Sequence, residues 1–322
     1  MNSYEDIKKW RQTNINTVST NHVALNKFHD EVMKATISIA IEKVQNEWGN
    51  PPAPFAFFLM GSAGRFEQSL WSDQDHGIIF GGSQGCQSYF LRLGQEIVNG
   101  LEHVGYIRCD GNVMASNPLW CQSLTSWKQQ VSNWLIDANW TSLRHISTFF
   151  DSRVLLGDRQ MLERIKQHAF STLSRQPSLY LRLVENVEFM KKGVGVFGQL
   201  LPELYGEHTG QIQFKKTTYF PYVNALRLLA IKEEIQGSST LSRFHQIKGK
   251  HPSIYYYEQY FMKLLQFRLH FLKDVQSYSD VHLISVERLT KKEKKELKNL
   301  MKKGYELFSS TKKILENECS TW

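Results

Sequence analysis

The chain has 322 residues, 41% of them hydrophobic, with 39 lysines and arginines against 31 acids for a net charge of +8, and four cysteines. A chain of this length buries about three quarters of its unfolded surface, as one large domain or two ordinary ones. No apolar run approaches the ~20 residues that span a bilayer. The cysteines form no C-x-x-C pair and no metal spacing with histidine, which argues against a disulfide framework or a zinc site. Residues Met1–Asp6 carry no signal-peptide pattern, so a cytoplasmic protein with reduced thiols is expected.

In chain order, the first fifty residues hold an amphipathic helix, with Val23, Phe28, Val32, Met33, Ile37, Ile41 and Val44 on one side and Gly49-Asn50-Pro51-Pro52 as its stop. The apolar run from Phe55 to Met60 predicts a buried strand. Gly61-Ser62 follows as a turn in which glycine opens the backbone to a ligand and serine adds a hydroxyl, an arrangement suited to a phosphate. Asp73-Gln74-Asp75 then leads into a second apolar run, Gly77–Phe80. Alternation along a strand places both aspartates on one face. Two carboxylates about 4 Å apart repel by roughly 4 kcal/mol at an effective dielectric of about 20, so the pair calls for solvent or a cation. Magnesium fits, since it takes one or two protein carboxylates and fills its shell with water and substrate phosphate. An isolated D-x-D is commonly a solvated turn; the upstream Gly-Ser turn and the flanking strands favour metal ligation.

Beyond this segment, 86–103 and 124–136 predict helices, while Tyr106–Cys109, Asn112–Ala115 and Thr148–Phe150 predict strands. From Arg159 onward the strand signal fades. Helices are expected over 161–174, 179–192, 220–235, 254–276 and 291–315. An α/β half followed by a helical bundle is therefore the expected fold class. Its parts are expected to be an N-terminal helical segment over 1–50, an α/β domain over 51–160 and a helical domain over 161–322. Charge divides the same way: residues 1–160 hold 13 basic residues against 15 acids, and 161–322 hold 26 against 16. Ten of the basic residues lie between Arg288 and Lys313, opposite an apolar helix stripe, which reads as a solvated face. A basic half also admits RNA binding.

Gly61-Ser62, ten residues, then Asp73-x-Asp75 resembles the signature of the DNA polymerase β nucleotidyltransferase superfamily. The longer string Gly61-Ser62-x-Gly64-Arg65-x-Glu67 with Ser72-Asp73-Gln74-Asp75 resembles bacterial nucleotidyltransferases related to the uridylyltransferase of the PII nitrogen regulator. Val113–Trp120, Phe149–Arg153 with Gly157-Asp158, Lys215-Lys216, Pro221 and Ala225-Leu226-Arg227 follow in that family's order, so the likeness runs from about residue 20 to about 315. His76 departs from it, asparagine being expected there. The resemblance implies a polymerase β-type catalytic domain with a mixed sheet, and a helical substrate-binding domain behind it. It further implies two magnesium ions on Asp73 and Asp75, a nucleoside triphosphate as substrate, and an acceptor hydroxyl on a regulatory protein. A nucleotide-sensing module without catalysis is the alternative.

Nucleotidyl transfer commonly adds a third carboxylate. Asp151 is the first choice because it follows a predicted strand; Asp110, in a glycine-containing turn, is the second. Arg65 is expected either to clamp phosphate or to pair with Glu67 or Asp75. Lys215, Lys216 and Arg227 are expected to meet triphosphate or acceptor, or to be plain surface charge.

Overall fold

The structure, a computed structural model, describes residues 1–272, 275 and 277–319, without the Cys319 side chain. Two compact units divide the chain, Met1–Thr172 and Leu173–Trp322.

The first unit opens with two helices, α1 (Tyr4–Val18) and α2 (His22–Trp48). Ser3 and Asn21 cap them by accepting from backbone N–H groups of their first turns. The predicted helix corresponds to α2; α1 was not visible in the hydrophobic spacing, because few of its residues are buried. The chain then runs through β1 (Phe55–Leu59), a single turn α3 (Gly61–Gly64), β2 (His76–Phe80), α4 (Gln87–His103), β3 (Cys121–Ser123), α5 (Leu124–Asp137), α6 (Trp140–Phe150), β4 (Arg153–Gly157) and α7 (Arg159–Ser174). The sheet order is β3-β2-β1-β4. β1 is antiparallel to both β2 and β4, and β2 is parallel to β3, so the sheet is mixed.

Alternation on the strands gives the sheet two buried faces. Phe57, Leu59, Ile78 and Phe80 join the core built with α2 and α4. Phe58 meets Trp127 of α5, whose indole N–H donates to the Ile78 carbonyl at 3.0 Å and whose ring stacks on Phe149 of α6. Residues 148–150 thus end a helix rather than forming the expected strand, because Leu143, Ile146, Phe149 and Phe150 recur at helical spacing and are all buried. Tyr106–Cys109 and Asn112–Ala115 also form no strand beyond an isolated bridge at Ile107.

The second unit is predominantly helical: α8 (Ser178–Val187), α9 (Phe220–Lys232), α10 (Thr240–Ile247), α11 (Pro252–Tyr255), α12 (Glu258–Leu272) and α13 (Lys291–Cys319), with a two-stranded ribbon of β5 (Gln211–Gln213) and β6 (Leu283–Ser285). α9 is its buried centre, every residue from Pro221 to Ile231 being enclosed. Gly304 of α13 permits close packing there, since a methyl group would meet the Tyr222 ring at 2.6 Å. The helix expected over 179–192 stops at Val187. The one expected over 254–276 is broken between α11 and α12, and its end at Gln276 lies outside the described residues. No helix among the described residues is long and apolar enough to cross a membrane.

His29 of α2 is fully enclosed, 2.8 Å from the Tyr106 hydroxyl through Nδ1 and 2.9 Å from the Ser69 carbonyl through Nε2. Since a carbonyl only accepts, Nε2 carries the proton and Tyr106 donates to Nδ1. Burial first, and the Arg11 charge second, hold this ring's pKa down to about 3. The unfolded chain takes up the proton near pH 6.5. His29 therefore contributes stability that is complete above about pH 6.5 and declines as pH falls toward 3, by about 1.4 kcal/mol per pH unit. His29→Gln should show a correspondingly shallower fall in urea-unfolding free energy between about pH 6 and pH 4. A slope equal to that of the native chain would mean that His29 is charged in the fold.

Candidate nucleotide and metal site

The site begins where β1 ends. The Met60 N–H donates to the Asp75 carbonyl at 2.7 Å, carrying the β1–β2 pairing one residue past its last ladder pair, Leu59 and His76. Extended backbone continues upstream, so Ser72, Gln74 and His76 are buried while Asp73 and Asp75 alternate with them as half-buried residues. Gln74 locks the inner face, donating through Nε2 to the carbonyls of Val98 and Tyr106 at 3.2 and 3.0 Å. Asp73 also pairs with Ile107 as a parallel bridge. Two residues further on, the same register brings Cys109 beside Asp75. Ligand atoms of Asp73, Asp75 and Cys109 all lie within 4.8 Å of one another.

Gly61 completes the pocket wall. Its φ is +54°, and a methyl group there would fall 2.0 Å from Asp75 Oδ2. Only a residue without a side chain lets the carboxylate lie over the turn. Ser62 is half-buried, its hydroxyl 3.4 Å from that of Ser72. Burial first, then the Asp75 charge, pushes the Cys109 thiol up to about 12, with Asp73 adding in the same direction. Part of that rise comes from the negative charge of the aspartates. A cation would offset that charge, and the donor set of two carboxylates and a thiol fits a divalent metal.

The linking segment 65–72 is held from several sides. Asn26 exchanges two hydrogen bonds with the Gln68 backbone, His29 bonds Ser69, and Arg11 donates to the Leu70 carbonyl at 3.1 Å. Arg153 donates to the Ala63 carbonyl and, through both terminal nitrogens, to Asp30.

Two family models match this chain. Residues 9–140 match "Putative nucleotidyltransferase DUF294", and residues 177–313 match "Putative nucleotidyltransferase substrate binding domain". The chain belongs to this nucleotidyltransferase family. Comparison with curated proteins gives no match. The family's general activity is nucleotidyl transfer, and the match over 9–140 contains the Gly61–Asp75 segment.

Within this nucleotidyltransferase, the structure gathers Gly61, Ser62, Asp73 and Asp75, and adds Cys109, which no motif in the sequence links to them. Asp151 is not in the group. It is fully enclosed at the end of α6, its Oδ2 accepting from Arg65 Nη1 at 2.7 Å. Arg65 also donates through Nε to Glu67 at 2.7 Å. Of the two roles open to Arg65, pairing is the one observed, to Glu67 as expected and to Asp151 besides. Asp110 is exposed in the turn after Cys109 and is also outside the group. His76 faces the protein interior: Nε2 meets Gln74 Oε1 at 3.1 Å and Nδ1 accepts from the Ala115 N–H at 3.2 Å. Burial lowers its pKa to about 3, so the departure from asparagine leaves a neutral ring beneath the aspartates.

In the second unit, Lys215 opens a π-turn (Lys215–Tyr219) and is half-buried, 3.4 Å from His282 Nε2. Lys216 is exposed. Arg227 is buried and donates to Asn224 Oδ1 at 2.8 Å.

Two glycines separate site geometry from fold stability. In Gly61→Ala the added methyl meets a side chain that can rotate away, so the loss should fall on divalent-cation affinity, about tenfold by calorimetric titration, with about 1–2 kcal/mol of stability. In Gly64→Ala it meets backbone, the Asp151 and Leu59 carbonyl oxygens at 2.0 and 2.8 Å. That variant should lose about 3 kcal/mol in denaturant unfolding. The reverse ranking of stabilities would contradict this geometry.

Proposed function

We propose that the first unit carries out magnesium-dependent transfer of a nucleoside monophosphate from a nucleoside triphosphate to an acceptor hydroxyl, with Asp73 and Asp75 as metal ligands. The gathering of both carboxylates, with that of Asp75 lying against the bare backbone of Gly61, supports this reading most strongly. Two bound magnesium ions would neutralise phosphate charge and activate the attacking hydroxyl.

The chain's own residues divide the remaining tasks. Asp73 and Asp75 present oxygen on one face of an extended strand whose other face is fixed by Gln74 and His76. Gly61 and Ser62 form the phosphate cradle, glycine by leaving space and serine by offering a hydroxyl. Asp151 acts through Arg65: the buried pair anchors the residue that ends α3, keeping the cradle at a set distance from the aspartates. Arg65 is thereby a positioning residue and not a phosphate clamp. Lys216, exposed on the unit that matches a substrate-binding domain, attracts triphosphate or acceptor, with Lys215 supporting it. Arg227 is enclosed and shapes that unit from within. The resemblance to the PII uridylyltransferase makes a protein hydroxyl the acceptor class.

Asp73→Asn should abolish magnesium-dependent pyrophosphate release and label transfer from α-phosphate-labelled nucleotides. Unchanged product formation would defeat the assignment. Asp151→Asn should behave differently, losing about 1.5–3 kcal/mol of stability because it removes one of the two charged acceptors of the buried Arg65 and leaves Glu67 as the other, while the folded fraction keeps its cation affinity. A selective loss of cation binding, with stability intact, would restore Asp151 as a ligand.

A further inference from the structure

Resting on the reading of Asp73 and Asp75 as metal ligands, the structure points to a preference in that site which carboxylates alone would not give. Cys109 occupies position i of a turn closed by the Asn112 N–H donating to its carbonyl at 2.9 Å. Asn112 takes φ +52°, which fixes the turn's direction. Upstream, the parallel bridge between Asp73 and Ile107 sets the register, and the Gln74 N–H reinforces it by donating to the Ile107 carbonyl at 2.9 Å. The thiol therefore reaches the aspartates by two constraints of backbone pairing, one on each side of Arg108. It is half-buried, and its Sγ lies within 4.8 Å of a carboxylate oxygen of each aspartate.

We propose that Cys109 Sγ is the third protein ligand of this site, so that Asp73, Asp75 and Cys109 together take a thiophilic divalent cation such as Co2+, Zn2+ or Cd2+ more tightly than Mg2+. Metal–ligand bonds of about 2.0–2.3 Å let one ion touch three atoms this close after small side-chain rotations. Magnesium is hard and gains little from sulfur, whereas later divalent metals gain from it. As the metal–sulfur bond forms, the thiol proton passes to solvent and the sulfur binds as thiolate. Thiophilic ions would then displace magnesium and slow transfer without touching the nucleotide cradle.

The test uses the full chain freed of metal, titrated with Co2+ while the thiolate-to-cobalt charge-transfer absorption is recorded, beside Mn2+ binding measured by electron paramagnetic resonance. The native protein should develop a saturable charge-transfer band. Cys109→Ser should lose the band and bind Co2+ about tenfold or more weakly, yet hold Mn2+ near the native level. Retention of the band in Cys109→Ser would overturn the proposal, because another thiol would be its source. Absence of the band in the native protein, with Mn2+ still bound, would overturn it too and leave the aspartate reading standing. Failure of the native protein to bind either ion would remove both.

Discussion

Two carboxylates held on one face of one strand repel each other, and most of the first unit's architecture serves to hold them there. Asp73 and Asp75 are brought together with Cys109 where all three electronegative groups lie within 4.8 Å. Unfavourable local charge of this kind persists only when surrounding structure fixes it. Here the fixation is specific. Gln74 and His76 fasten the strand from its buried side, while Asn26, His29 and Arg11 fasten the segment that joins the Gly61-Ser62 turn to the aspartates. The N-terminal helices are thus part of the site's support, although they contribute no atom to it.

The buried Arg65 serves the same constraint from the other end. An arginine between Glu67 and Asp151, all three enclosed, is costly to desolvate and is justified by the geometry it sets more than by net stability. Gly64 makes the arrangement possible, since any side chain there would collide with the Asp151 backbone. Gly61 does the same for Asp75. Two glycines three residues apart therefore have separate duties, one toward the scaffold and one toward the Asp75 carboxylate.

The parts of this picture that depend on local spacing were legible in the sequence. Gly61-Ser62 and Asp73-x-Asp75 announced a turn and a carboxylate face, and the period of apolar residues announced α2, α4, α5 and the helical second half. What depends on pairing between distant segments was not legible. Cys109 reaches Asp75 only through the bridge between Asp73 and Ile107, and nothing near Cys109 in the chain encodes that register. Thr148-Phe149-Phe150 looks like a strand because a short aromatic run fits either period; the buried Leu143 and Ile146 behind it reveal the helix. Asp151 goes with it, since a residue closing a helix against Arg65 has a different direction from one leaving a strand. His76, where the resemblance implies asparagine, is turned inward by the strand's alternation, and burial keeps it neutral.

In the second unit, enclosure of α9 explains why basic positions close in sequence differ so much in exposure: Lys216 precedes the buried helix and Arg227 lies within it. The central claim is that Asp73 and Asp75 create a cation site that receives triphosphate. Calorimetric titration of the native protein with a non-hydrolysable nucleoside triphosphate analogue, with magnesium and then with excess chelator, tests it most directly. Binding should require the metal and disappear when it is removed. Equal affinity in the presence of chelator would contradict the account.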